Sequence, residues 1–162
     1  MLIKRVTVFL FLICIAFSCE KEYHTTIPNY EVRLELWLNT GDSDLNTNLA
    51  YKIISQPRTA LDKLGFGGLL IINGMGESLV NLYVFDLACP EEVQRNVRVV
   101  PNNMSSSSSA VATAVTATCP KCGAVFNIAT GTGVPKSGSK YYLRSYRVSG
   151  DGSPNSKYLV HN

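Results

Sequence analysis

Two short cysteine loops thirty residues apart, Cys89-Pro-Glu91 and Cys119-Pro-Lys-Cys122, constrain this 162-residue chain more than any other feature. The remaining two of its five cysteines, Cys14 and Cys19, fall at the N-terminus. The body of the chain therefore holds three thiols. Outside the cytoplasm an odd set leaves one cysteine free, shared between molecules, or bound to a metal.

The N-terminus points to such a compartment. Residues 1–18 carry charge at Lys4 and Arg5, an apolar run from Val6 to Phe17, and a small residue, Ser18, just before Cys19. This is the pattern of a secretory signal, too short for a stable membrane span. The segment Ala16-Phe-Ser-Cys19 resembles a bacterial lipobox, which implies a diacylated Cys19 as the mature N-terminus and a membrane attachment made by acyl chains. The acidic start that follows, Glu20 and Glu22, resembles signals that send lipoproteins to the outer membrane, on its periplasmic or its surface face. Residues 19–29 read as a polar, flexible tether.

Loss of Lys4 and Arg5 with the signal leaves thirteen basic against twelve acidic residues, a net charge of +1 with no nucleic-acid footprint. What remains suits one domain, residues 30–162. Residues 30–38 alternate apolar and polar, placing Val32, Leu34, Leu36 and Leu38 on one face of a strand. Residues 51–54, 69–72, 79–87, 97–100, 110–118, 123–128, 141–148 and 157–160 read as further strands, and the serine run 105–109 as a solvated loop. Many short strands with little room for helices predict an all-β barrel or sandwich.

The residues around the cysteines resemble a Rieske iron–sulfur domain. Val84-Phe-Asp-Leu-Ala88 runs into the first loop as that family's strand does. Gly123-Ala-Val-Phe126-Asn matches the family's Gly-Ser-x-Phe-Asp, and Thr130-Gly131 follows at the expected distance. Val134-Pro-Lys-Ser-Gly138, then Tyr142-Leu143 and Tyr146-Arg-Val148, resemble the family's proline loop and the strand behind it. The match spans roughly Leu64 to Val160. It implies a Rieske-like antiparallel β-sandwich or barrel with a small two-loop cluster-binding subdomain. Its ligand loops would lie at about 86–92 and 118–127, and its proline loop at about 131–139.

The departures from the family bear on the chemistry. Rieske loops place a metal-binding histidine after each cysteine, two cysteines holding one iron and two histidines the other. Here those positions hold Glu91 and Cys122, and the only histidines are His24, in the tether, and His161, beside the C-terminus. Cys89, Cys119, Cys122 and Glu91 would supply three thiolates and one carboxylate, enough for four-coordinate binding. On a [2Fe-2S] cluster this set carries two more negative charges than two cysteines with neutral histidines, which would lower the potential. Zinc would make a redox-silent staple, with Glu91 or water as fourth ligand. With no metal, a Cys89–Cys119 disulfide would leave Cys122 over.

The resemblance implies a membrane-anchored Rieske-like protein passing single electrons to an unidentified redox partner. The second reading is a redox-inactive envelope lipoprotein, its loops held by zinc or a disulfide, acting as an accessory or binding module. Both readings favour an electron-transfer or accessory protein over a stand-alone enzyme, and no Ser-His-Asp set is supported with so few histidines. Cys119-x-x-Cys122 lacks the βαβ setting of a thioredoxin pair, and Gly65-Phe-Gly-Gly68 lacks the Lys-Ser/Thr and helix of a phosphate loop.

Overall fold

The computed structural model describes residues 24–104 and 111–162. The signal segment, Cys19 and the serine run 105–109 lie outside the described residues. Among those described, eleven strands and one 3-10 turn at Ser43–Asn46 follow one another. The strands are β1 (Val32–Trp37), β2 (Tyr51–Ile54), β3 (Lys63–Leu64), β4 (Leu69–Asn73), β5 (Leu82–Asp86), β6 (Val100–Asn103), β7 (Ala114–Thr118), β8 (Val125–Asn127), β9 (Pro135–Ser137), β10 (Ser145–Ser149) and β11 (Lys157–His161). The all-β class is as expected. No helix among the described residues is long and apolar enough to cross a membrane.

Seven strands form one antiparallel, barrel-like sheet in the order β2-β4-β5-β10-β11-β1-β3, and β6-β7-β8-β9 form a second, smaller sheet. β5 and β10 are neighbours, paired Ser145 to Phe85 and Tyr146 to Val84. The small sheet is therefore everything the chain inserts between two adjacent strands of the large one.

Alternation builds the first core. Val32, Leu34, Leu36 and Leu38 all point inward and are buried together with Val84, Tyr146, Tyr158 and Val160. β4 breaks that pattern for a physical reason: its run Leu69-Leu-Ile-Ile72 is buried on both faces. Leu69 and Ile71 join the barrel core, whereas Leu70 and Ile72 join a second core with Phe85, Leu87, Phe126, Ile128 and the two buried cysteines. That second core is the cement between the sheets, and Cys89 and Cys119 are part of it.

Boundaries shift where the cysteine hairpins take residues for themselves. The strand expected at 97–100 begins only at Val100, because Val97 and Val99 form the return arm of the first cysteine loop: Cys89 N–H donates to Val97 O at 3.0 Å and Val99 N–H to Leu87 O at 2.8 Å. Likewise 123–124 close the second loop, and β8 starts at Val125. The short β3 and β9 carry no alternation and were not anticipated.

Residues 24–29 correct the expectation of a flexible tether up to Asn29. Ile27 is buried, Thr26 Oγ1 donates to Pro90 O, and Arg144 Nε donates to Ile27 O at 2.9 Å. His24 stacks edge-on against Tyr141, with ring centroids 5.6 Å apart. An apolar residue within a polar stretch anchors this strap across the domain.

Candidate metal centre

Each cysteine loop is a tight turn at the tip of a hairpin. In the first, the N–H groups of Glu92 and Val93 donate back to Cys89 O at 3.2 and 2.9 Å. In the second, Gly123 N–H donates to Cys119 O at 2.9 Å, while Cys119 N–H pairs across the hairpin with Ala124 O at 2.8 Å. Proline after each cysteine presets the turn, and a residue with positive φ closes it, Val93 at 49° and Gly123 at 74°.

These turns bring three sulfurs together. Cys89, Cys119 and Cys122 have Sγ atoms that all lie within 4.8 Å of one another, and Cys89 Sγ to Cys122 Sγ is 3.6 Å. Cys89 and Cys119 are buried, Cys122 is exposed, and all three are free thiols. The group thus meets solvent at Cys122.

Backbone dipoles decide how the thiols share protons. Burial pushes the Cys89 thiol up to about 12; its neighbours Cys119 and Cys122 add to the rise, against the N–H groups of Glu91 and Glu92. Burial also opposes ionisation of Cys119, but N–H groups of Cys122 and Lys121 and hydrogen bonds from the other two thiols outweigh it, holding Cys119 below the ordinary thiol value.

A metal fits this donor set. With metal–sulfur bonds of about 2.3 Å, the edge of a tetrahedron is about 3.8 Å, close to the 3.6 Å between Cys89 and Cys122 Sγ. Three thiolates could therefore hold one metal ion.

Other residues singled out in the sequence fall elsewhere. The grouped ligand atoms include neither Glu91, which is exposed and accepts Lys140 N–H at 3.2 Å, nor Glu92. His161 contacts Ser149 Oγ at 2.9 Å, and His24 packs on Tyr141. Glu92 makes an ion pair with Lys121 of the facing loop, Oε2 to Nζ 2.5 Å.

Sequence reasoning missed the anchor beneath the first loop. Asp86, buried, accepts N–H bonds from Phe66 at 2.8 Å, Gly67 at 2.9 Å and Ala88 at 2.8 Å. A Cβ on Gly67 would stand 2.7 Å from Ala88 N, so this glycine lets the 65–68 turn press against the strand leading into Cys89. The available signal was a lone aspartate inside an apolar strand, which must find donors if buried. In comparisons with known proteins, no family model, no curated protein and no solved structure matches the chain.

Proposed function

We propose that this is a Rieske-like envelope protein in which one metal ion, held by Cys89, Cys119 and Cys122, takes the place of a two-iron cluster. The observation that carries the reading is the mutual sulfur spacing within 4.8 Å. A Rieske-type [2Fe-2S] core would set Cys89 and Cys119 on one iron and Cys122 on the other, across the sulfide bridge, whereas Cys89 and Cys122 Sγ lie 3.6 Å apart. Zinc is the ion this set fits best: it takes mixed sulfur and oxygen ligands and stays redox-silent in an oxidising compartment.

On this reading the protein is an accessory or binding module whose metal staples two hairpins, and not an electron carrier. Kinship with the Rieske family is supported by the order of the loop, Gly, Phe and proline-loop residues, and by the insertion of both cysteine loops between β5 and β10, the second of them on the small sheet. The lipid anchor at Cys19 and an outer-membrane location are supported by the 16–19 segment and the acids after it.

Metal analysis and a visible spectrum of protein purified without oxygen test the reading. One zinc per chain and no colour are expected. Two irons with two labile sulfides would return the electron-transfer reading instead, and a native Cys89–Cys119 disulfide would exclude both metals.

A further inference from the structure

The two cysteine loops are copies of one turn, and that repetition aligns their residues one for one. Cys89-Pro-Glu-Glu92-Val93 and Cys119-Pro-Lys-Cys122-Gly123 run in the same frame. In both, the fifth residue has positive φ and donates its N–H to the first cysteine's carbonyl at 2.9 Å. The fourth residue of the second turn is Cys122, a member of the sulfur group. The fourth residue of the first turn is Glu92.

We infer that Glu92 is the carboxylate ligand which completes a three-sulfur, one-oxygen site for a borderline divalent cation such as zinc; this rests on the single-ion reading above. Glu92's side chain is only 18% exposed, and its carboxylate already reaches across to Lys121, the residue beside Cys122. Glu91, the third residue of its turn, is aligned instead with Lys121, is exposed, and accepts Lys140 N–H. Three thiolates and a carboxylate on a divalent ion leave two negative charges, and Lys121 at the rim offsets one of them. The same lysine holds the carboxylate in the metal-free protein, so metal uptake exchanges an ion pair for a coordinate bond.

The sequence signal was available in the shared Cys-Pro-x-x frame. It is masked when the first loop is aligned to a pattern with its second ligand two residues after the cysteine.

Cobalt(II) titration of the full-length protein is the test, with the ion itself as probe. Wild type is expected to take up one cobalt per chain with tetrahedral absorption and sulfur-to-metal charge transfer. Glu92→Gln is expected to weaken binding at least 10–100-fold, the range that loss of a mere supporting partner already costs. Glu92→Cys is expected to retain tetrahedral binding with charge-transfer intensity raised by about one third, four thiolates in place of three. Glu91→Gln is expected to match wild type. One tightly bound cobalt in wild type with unchanged affinity and spectrum in both Glu92 variants overturns the ligand assignment and leaves the single-ion site standing. Failure of wild type to bind cobalt overturns both.

Discussion

Tyr146 donates its phenolic hydrogen to Asp86 Oδ2 at 2.8 Å, and this bond ties the strand entering the first cysteine loop to the neighbouring strand of the barrel. Burial first, then the adjacent carboxylate, push the Tyr146 hydroxyl far above its ordinary value, so it acts only as a donor. Tyr146→Phe is expected to cost about 2 kcal/mol, typical for a hydrogen bond to a charged group. Asp86→Asn is expected to cost about 3 kcal/mol, because an amide cannot accept all four hydrogens and leaves a buried donor unmet. Urea unfolding of both variants checks the order; equal stability to wild type would refute the anchor.

Val93 occupies the left-handed region that its counterpart, Gly123, occupies without penalty. A β-branched residue there is strained. Val93→Gly is expected to raise stability by about 1 kcal/mol, and Gly123→Ala to lower it by about 1 kcal/mol. No atom lies within 4 Å of a Cβ at Gly123, so the second effect would be purely conformational. Thermal melts of metal-free protein measure both.

Metal removal is expected to loosen the cysteine hairpins before the barrel. An ion present at one hundred times its dissociation constant adds about 2.7 kcal/mol to the folded state. After chelation, amide exchange is expected to accelerate at Glu92, Val93, Cys122 and Gly123, whereas β1 and β11, paired over five residue positions, keep their protection. Uniform acceleration throughout the chain would argue against a local staple.

Asp42 makes stability fall at low pH. Burial raises its carboxyl, but hydrogen bonds from Arg58, Trp37 N–H and Lys52 outweigh burial and hold it below 3.8. A depressed carboxyl contributes stability above the unfolded value and loses it as pH falls through the folded one. Asp42→Asn is therefore expected to be about 1–3 kcal/mol less stable than wild type at pH 7, and the gap to narrow below about pH 3.8. Urea midpoints across that range test the sign.

Cys19→Ala is expected to move the protein from the membrane to the soluble fraction, because acyl chains and no helix would hold it. Unchanged partitioning would refute the anchor.

Much of the fold is legible in local pattern. The alternation at Val32, Leu34, Leu36 and Leu38 reports a half-buried strand because side-chain direction reverses at every residue. The apolar run 69–72 reports a strand, but not that its two faces serve two different cores. Cysteines followed by proline turns report a candidate site and the spacing offers Glu91 as a fourth ligand, but side-chain positions, which spacing does not encode, leave Glu91 outside the sulfur group.

By itself the sequence determined the β class, the hairpin turns and the identity of the three thiols, because these follow from residue-by-residue propensity and chemistry. Only the tertiary structure decided that β5 and β10 lie side by side with the small sheet inserted between them, that Ile27 straps down the N-terminal segment, and that three sulfurs meet within 4.8 Å. Those outcomes depend on distances between residues far apart in the chain, which long-range packing sets and local pattern cannot encode.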